Sequence, residues 1–398
     1  MSSLETFREE TREWLLANAP KSLFGTRKGR FDGFWGGKKS TETDPDVLRW
    51  RDVMFERGWT APTWPKEYGG GGLSDEYAEV LESLLDELKL PPPVVGFGLA
   101  MIGPTLLDFG TEEQKREHIP KICHGDIRWC QGYSEPSAGS DLASLQTRGI
   151  VEGDTMLING QKVWTSYADK SDWIFCLVRT DPNVKKQRGI SFMLIDMETE
   201  GVSTQPIPLI SGASPFCETF LENVRVPMRN MVGPLNGGWT VAKALLGYER
   251  SMIGSAITGQ MSVAENLLVK RARSTRGAFE SGKIRDENIR QDIARFGIMN
   301  ECMRMTGQRI YEAQEAGKAP GSESSIMKIA GTNLKQSRYE ISMKIGGLNA
   351  TGWDGEGFDA TDLDETREYL RSRANSIEGG SSEIQKNIIA KRVLGLPS

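Results

Sequence analysis

The stretch Gln131-Gly-Tyr-Ser-Glu-Pro-Ser-Ala-Gly-Ser-Asp141 places one proline, two glycines and three serines within eleven residues. Pro136, Gly139 and the small hydroxyl side chains predict a turn-rich loop. The exposed backbone N–H groups of such a loop can cradle a ligand that is rich in oxygen atoms. A surface loop without a ligand has the same composition, so this stretch alone assigns no function.

Upstream of this loop, the chain has the pattern of helices. Near the start, one helical stripe contains Leu4, Phe7, Thr11, Trp14 and Leu15. Thr111-Glu-Glu-Gln114 predicts a helix that begins with a capping box, and we expect this helix to end at Pro120. We therefore predict an N-terminal helical domain over residues 1–126.

Downstream of the loop, the pattern changes to short strands. Met156-Leu-Ile, then Asn159-Gly160, then Gln161-Lys-Val-Trp-Thr-Ser166 predicts a hairpin that turns at Asn159-Gly160. Further apolar runs separated by polar turns follow at 173–178, 190–195 and 218–221. These runs predict a central antiparallel β domain over residues 127–232.

After Gly238 the helical pattern returns. Long apolar-periodic segments predict helices at about 239–274, 288–315, 324–345 and 381–393, which suggests a four-helix bundle over residues 233–398. The 398 residues exceed the roughly 250–300 that one core can hold. The predicted fold class is therefore α+β, in three domains.

Composition excludes several classes of function. Lys and Arg total 49 against 54 Asp and Glu, a net charge of −5, so nothing indicates a nucleic-acid or membrane-surface partner. No apolar run reaches about 18 residues, and the first residues lack the layout of a signal peptide. We expect a cytoplasmic protein with no membrane partner.

The cysteines and histidines are few and scattered. Five cysteines without a CxxC pair indicate reduced thiols. His118 and His124 are the two histidines, and neither has metal-ligand spacing around it. We expect no metal site and no Ser-His-Asp hydrolase.

Two further stretches complete a set of three. In Gly160-Gln-Lys-Val-Trp-Thr-Ser166, a large aromatic stands beside hydroxyls, although Trp164 could equally be a core residue. Ser376-Ile-Glu-Gly-Gly-Ser-Ser-Glu-Ile-Gln385 is a glycine-rich turn before a helix, which suits phosphate or carbonyl oxygens. Together and in this order, the three stretches resemble the acyl-CoA dehydrogenase family across nearly the whole chain. Phe109–Gln114 and Leu221–Pro227 also match family stretches.

The resemblance implies a flavoprotein oxidoreductase that carries FAD. A base would remove the C2 proton of an acyl-CoA thioester while a hydride passes from C3 to FAD N5, which gives the 2,3-enoyl product. The resemblance implies electron-transfer flavoprotein as the electron acceptor and a role in fatty acid or steroid catabolism. An acyl-CoA oxidase reoxidised by oxygen and a non-catalytic subunit remain the alternatives.

The resemblance also implies the site residues. Those that would bind FAD are Tyr133, Ser134, Gly139, Ser140, Trp164, Ser166, Gly346 and Gly347. Tyr133 and Ser134 would approach the flavin ring edge, Trp164 and Ser166 would flank the ring, and the Gly346-Gly347 turn would lie near the adenosine half. Those that would bind the acyl-CoA are Ser140, Arg250 and Gly379, the last through its backbone N–H.

The catalytic glutamate has two possible places in the family. The commoner place, in the C-terminal signature, holds Gly379 here. The other lies before an arginine on the first C-terminal helix, where Leu246-Gly-Tyr-Glu-Arg-Ser251 supplies Glu249. The resemblance therefore implies Glu249 as the base, with Glu378 as the fallback. A solvated helix glutamate is the alternative for Glu249.

One family feature is missing. Homotetrameric members carry an Arg-x-x-Phe-Gly segment whose arginine reaches the FAD pyrophosphate of a neighbouring subunit, and that segment is absent between Lys270 and Arg290. Arg271, Arg273 or Arg276 could replace it. The chain thus resembles catalytic subunits of bacterial steroid or dicarboxylyl acyl-CoA dehydrogenases, which implies a heterotetramer with a related chain or a homotetramer.

Overall fold

The computed structural model describes residues 3–29, 32–316, 321 and 324–397, with the backbone alone described at 250–263, 311, 314, 315 and 324. Two compact units make up the chain. The first spans 1–207 and 214–249, and the second spans 208–213 and 250–398. Because the division falls inside one long helix, the three domain boundaries given above stay a prediction.

The chain begins with five α-helices: α1 (Ser3–Asn18), α2 (Pro45–Glu56), α3 (Asp75–Glu87), α4 (Gly103–Phe109) and α5 (Glu112–His124). The capping box at Thr111 and Gln114 is present at the start of α5. The expected end at Pro120 is wrong, because α5 continues to His124. Ile119, Ile122 and Cys123 are buried on both sides of the proline, and their packing outweighs one missing backbone donor.

The central sheet has seven strands: β1 (Trp129–Gly132), β2 (Arg148–Glu152), β3 (Thr155–Ser166), β4 (Trp173–Arg179), β5 (Ile190–Asp196), β6 (Val202–Ile207) and β7 (Phe216–Pro227). Their order is β1-β4-β2-β3-β7-β6, with β5 also paired to β4. Most pairs are antiparallel, as predicted, but β4 runs parallel to β1 and β2. The sheet is therefore mixed rather than wholly antiparallel.

The predicted hairpin at Asn159-Gly160 is wrong. Residues 155–166 form one continuous strand, and the β2–β3 connection lies at residues 153–154. Asn159-Gly160 instead marks a bulge against β7, where the side chain of Asn159 accepts a hydrogen bond from the N–H of Asn223. A Cβ at Gly160 would stand 2.7 Å from the Cα of Thr147, so the close approach of a neighbouring chain segment requires this glycine.

Five helices follow the sheet: α6 (Gly238–Arg276), α7 (Glu287–Glu315), α8 (Ser324–Gly346), α9 (Ala360–Ser372) and α10 (Ser382–Ile388). Apolar side chains from α6, α7 and α8 form the core of the second unit, among them Leu268, Phe296 and Ile341. The α+β fold class with C-terminal helices is confirmed. No helix among the described residues has the length and apolar content to cross a bilayer.

Candidate functional site

A buried ion pair fixes the loop that follows β1. The ammonium of Lys162, on β3, donates to Oε1 of Glu135 at 2.7 Å, and both side chains are at least 95% buried. Glu135 also accepts from the backbone N–H groups of Gln146 and Thr147, at 2.6 and 2.9 Å. Glu135 thus ties the start of the Ser134–Asp141 loop to β3 and to the residues that lead into β2.

The same loop lies beside the bulged end of β3. The N–H of Val163 donates to the carbonyl of Ser134 at 2.9 Å, and the pairing of β3 with β7 shifts register between Lys162 and Thr165. Trp164 sits in this bulge with a φ of 61°, a conformation that few non-glycine residues adopt. Such strain is found mostly where function requires a displayed side chain.

Trp164 is not a core residue. Its side chain is 55% exposed, and its indole packs edge-on against Phe216, with 6.0 Å between the ring centroids. The alternative of a buried strand tryptophan is therefore wrong for the described structure. An exposed indole beside a loop of small residues is an arrangement that suits a flat ring system.

The other residues predicted in the first unit differ in exposure. Ser134 and Ser166 are partly buried, whereas Gly139 and Ser140 are exposed. Open space surrounds Gly139, since a Cβ there would meet no atom within 4 Å. The structure thus brings Tyr133, Ser134 and Trp164 together through the Ser134–Val163 hydrogen bond, with Gly139 and Ser140 farther along the same loop.

Tyr133 carries a buried hydroxyl that has no hydrogen-bond partner among the described residues. Its ring packs edge-on against Phe175 and Phe192. Burial, reinforced by the negative charge of Glu249, raises the pKa of Tyr133 well above its usual value. The phenol is therefore neutral at ordinary pH and can donate a proton in a hydrogen bond to a bound molecule.

Glu249 stands next to this loop. Its carboxylate accepts a hydrogen bond from the side-chain amide of Gln131, with 3.2 Å between Nε2 and Oε2. The residue before it, Tyr248, donates to Asp108 of α4 at 2.6 Å and so fixes this part of α6 against α4. Glu249 is partly buried. The side chain of Arg250 lies outside the described part of the structure.

In the second unit, Glu378 is already engaged by its neighbours. Arg371 donates to Oε2 of Glu378 at 2.7 Å, and the amide of Asn375 donates to the other oxygen. Gly379 follows with a φ of 62°, and Ser381 caps α10 by accepting from the N–H of Ile384. Glu378 is thus held by two donors, and the left-handed backbone at Gly379 disfavours a glutamate there.

The Gly346-Gly347 turn lies against Arg276. The guanidinium of Arg276 donates to the carbonyl of Lys344 at 2.6 Å, and a Cβ at Gly347 would stand 2.6 Å from its Nη2. Arg271, in contrast, is held by Asp362, Ser342 and Glu365 and is mostly buried. Of the three arginines considered above, Arg276 is exposed at the glycine turn, whereas Arg271 belongs to an internal ion-pair cluster.

Three features of the site are missing from the predictions made from the sequence. Gln131 precedes the loop motif, and its contact with Glu249 joins residues 118 positions apart. A lysine at a buried position of β3 is the signal that a carboxylate partner such as Glu135 must exist. Arg276-Gly-Ala-Phe279 keeps the Arg-x-x-Phe spacing, with Glu280 in place of the glycine, so the segment considered absent is present in part.

Family models cover most of the chain. The acyl-CoA dehydrogenase N-terminal, middle and C-terminal domain models match residues 37–126, 130–224 and 236–394. The acyl-CoA dehydrogenase IpdE1 of Mycobacterium tuberculosis is 37% identical over 401 residues, which cover 100% of this chain and 99% of the relative.

Solved structures agree over the same length. The structure named Tcur3481-Tcur3483 steroid ACAD superposes with a TM-score of 0.78 at 30% identity, covering 100% of this chain and 98% of that one. The ChsE4-ChsE5 complex from Mycobacterium tuberculosis superposes with a TM-score of 0.76 at 28% identity, with the same coverage.

Proposed function

Because the chain belongs to the acyl-CoA dehydrogenase family, we propose that it desaturates an acyl-CoA between C2 and C3 with Glu249 as the base. The contact between Glu249 and Gln131, at the start of the loop predicted to bind the flavin, carries this proposal. It places a carboxylate beside Tyr133 within one compact unit. Glu378, the fallback, is occupied by Arg371 and Asn375.

The chain's own residues supply the proton chemistry. The C2 proton of a thioester is weakly acidic, so an Oε atom of Glu249 must accept it while a donor polarises the thioester carbonyl. The backbone N–H of Gly379 is our proposal for such a donor, and each donor of this kind lowers the barrier by roughly 2.7–4 kcal/mol. Bound FAD would supply the acceptor for the C3 hydride.

Three observations support a fit to FAD. The start of the loop is anchored by Glu135, the indole of Trp164 is exposed beside the loop, and the buried hydroxyl of Tyr133 has no partner in the described chain. Ser134 and Ser166 border this surface and would bind the flavin edge. Gly346, Gly347 and Arg276 would meet the adenosine and pyrophosphate half of an FAD held by a neighbouring subunit.

We further propose a bulky, steroid-type acyl group and a related second chain as assembly partner. Two full-length structural relatives support both points, since one is named a steroid ACAD and both are named as pairs of different chains. Electron-transfer flavoprotein remains the proposed acceptor. Arg276 would be this chain's contribution to its partner's FAD.

The test of the function is an anaerobic reduction assay. The purified protein, alone and with genomic-neighbour chains, is mixed with steroid side-chain, dicarboxylyl and straight-chain acyl-CoAs. We expect bound FAD to bleach with at least one acyl-CoA and the enoyl-CoA to form in equal amount. A protein that binds no FAD under any of these conditions contradicts the proposal.

A second measurement separates a dehydrogenase from an oxidase. The reduced protein is mixed with air-saturated buffer in a stopped-flow instrument. Slow reoxidation that an artificial acceptor accelerates is expected for a dehydrogenase, whereas rapid reoxidation by oxygen alone would assign an oxidase.

A further inference from the structure

Gln131 places an uncharged donor on the carboxylate of Glu249. It is the third residue of β1, and its Cα is fixed by pairing with Phe175 of β4. Its neighbours Cys130 and Gly132 are buried, whereas Gln131 projects from the opposite side and is partly buried. Its amide reaches Oε2 of Glu249 at 3.2 Å, so a rigid strand holds one end of the contact and a helix the other.

We infer that Gln131 is a positioning residue that holds the carboxylate of Glu249 in its ionised, proton-accepting form. This inference rests on the proposed function, in which Glu249 removes the C2 proton. An amide N–H donated to a carboxylate favours the charged form and restricts its rotation. Because an amide does not titrate, it can do this at any pH without competing for the substrate's proton.

Two tyrosines near Glu249, Tyr133 and Tyr248, do not titrate near neutral pH. Burial raises the pKa of Tyr133 and keeps its phenol neutral, and the nearby negative charge of Glu249 raises this pKa further. Tyr248 is bonded to Asp108 on α4, and burial together with this hydrogen bond raises the pKa of Tyr248 to about 12. Neither phenol ionises near neutral pH. A shift in the pH profile near neutrality therefore does not come from either phenol.

The test follows proton removal alone. The probe is an acyl-CoA with sulfur at position 3, which can lose its C2 proton but has no C3 hydride to give. Exchange of the C2 protons for deuterium is followed by NMR in D2O as a function of pH, for the FAD-loaded protein. We compare Gln131→Met, Gln131→Glu and the control Gln161→Met, which removes a similar amide contact to Glu218 on β7.

We expect Gln131→Met to move the midpoint of the exchange profile upward by about one pKa unit, so that exchange at low pH slows about tenfold. The maximal rate at high pH should change by less. Gln131→Glu should move the midpoint further, because a second carboxylate disfavours ionisation of the first. The profile of Gln161→Met should match that of the wild-type protein.

Several results would overturn the inference. An unshifted profile for Gln131→Met, or a uniform loss of rate at every pH, would reduce Gln131 to a structural residue. A downward shift would mean that the amide oxygen accepts a hydrogen bond from the protonated carboxyl group of Glu249, instead of the amide N–H donating to the carboxylate. If Gln131→Met does not fold, Gln131→Glu and the shorter amide of Gln131→Asn give the same comparison. Exchange that survives Glu249→Gln would instead contradict the proposed function, and so the two failures are distinct.

Discussion

Removing the ammonium of Lys162 should destabilise the first unit strongly. Lys162→Met leaves the carboxylate of Glu135 buried without its counter-charge, and breaking one side of a buried pair costs about 3–5 kcal/mol. We expect the lower end, about 3 kcal/mol, because Glu135 retains the N–H donors of Gln146 and Thr147. At roughly 2–4 °C per kcal/mol for a unit of this size, the melting temperature should fall by about 6–12 °C.

The loss of stability in Lys162→Met should depend on pH, because Glu135 is titratable. Burial alone would raise the pKa of Glu135, but Lys162 and the hydrogen-bond donors bring it below its usual value. In the wild-type protein, the ionised Glu135 therefore contributes stability above its unfolded pKa of about 4.3, and this contribution is lost as pH falls through its pKa in the folded protein. In Lys162→Met the folded pKa rises instead, so the penalty shrinks as pH falls through that raised value. The difference in melting temperature between the wild-type protein and Lys162→Met should therefore be smaller at about pH 5 than at about pH 7.5.

Scanning calorimetry or intrinsic fluorescence at both pH values provides the measurement. Lys186→Met is the matched control, because Lys186 pairs at 2.7 Å with Asp141 of the same loop but both groups are more than half exposed. Glu135→Gln combined with Lys162→Met should recover part of the loss by removing both charges. If Lys162→Met melts no lower than Lys186→Met, the buried pair does not stabilise the loop and the reasoning is refuted.

Three further predictions concern the site. Glu249→Gln should slow anaerobic flavin bleaching by about 10²–10⁴-fold, whereas Glu378→Gln should stay within about tenfold, and the opposite ranking would reassign the base. Trp164→Ala should weaken FAD binding about tenfold by fluorescence titration while the melting temperature of the FAD-free protein changes little, because the indole is 55% exposed; equal losses of both would indicate a structural role. Arg276→Met should lower the number of flavins per assembly in native mass spectrometry more than the control Arg273→Met does, and a stable homotetramer with four flavins in the unaltered protein would argue against a second chain.

The sequence predicts most helices because their periodicity is local. The segments expected at about 239–274, 288–315 and 324–345 correspond to α6, α7 and α8 within two residues at each end. Helix α9 is not anticipated, since six of its thirteen residues are charged and its apolar stripe is thin. Long-range ion pairs stabilise it, from Arg271 to Asp362 and from Arg338 to Glu365. Local patterns contain no sign of such partners.

The hairpin error has a related cause. Asn-Gly is a strong local signal for a two-residue turn. Whether it becomes a turn or a bulge depends on the neighbouring strand, and β7 pairs with β3 on both sides of Asn159-Gly160. The contact of Gly160 with Thr147 and the hydrogen bond from Asn223 to Asn159 then favour the bulge. Each of these partners is distant in sequence or belongs to another strand.

The candidate site divides in the same way. The loop and the Trp164 stretch are visible as motifs because their own residues are unusual for a core. The contacts that support them cannot be read from the sequence, because the partners are far apart along the chain. Glu135 and Lys162 are 27 positions apart, and Gln131 and Glu249 are 118 positions apart. Motifs therefore identify the surface that we propose binds a ligand, whereas the structure identifies the contacts that hold that surface in place.

The backbone at position 379 differs from that at position 249 in how well it accommodates a glutamate. A glutamate at position 379 would have to adopt a φ of about 62°, which costs an ordinary residue roughly 1–2 kcal/mol. At position 249 a glutamate occupies the regular interior of α6, where its side chain meets a strand residue of fixed position. Glycine at 379 keeps the backbone N–H available and frees the turn from strain. If Glu249 is the base, as we propose, the turn at Gly379 needs no carboxylate and has only its backbone N–H to offer.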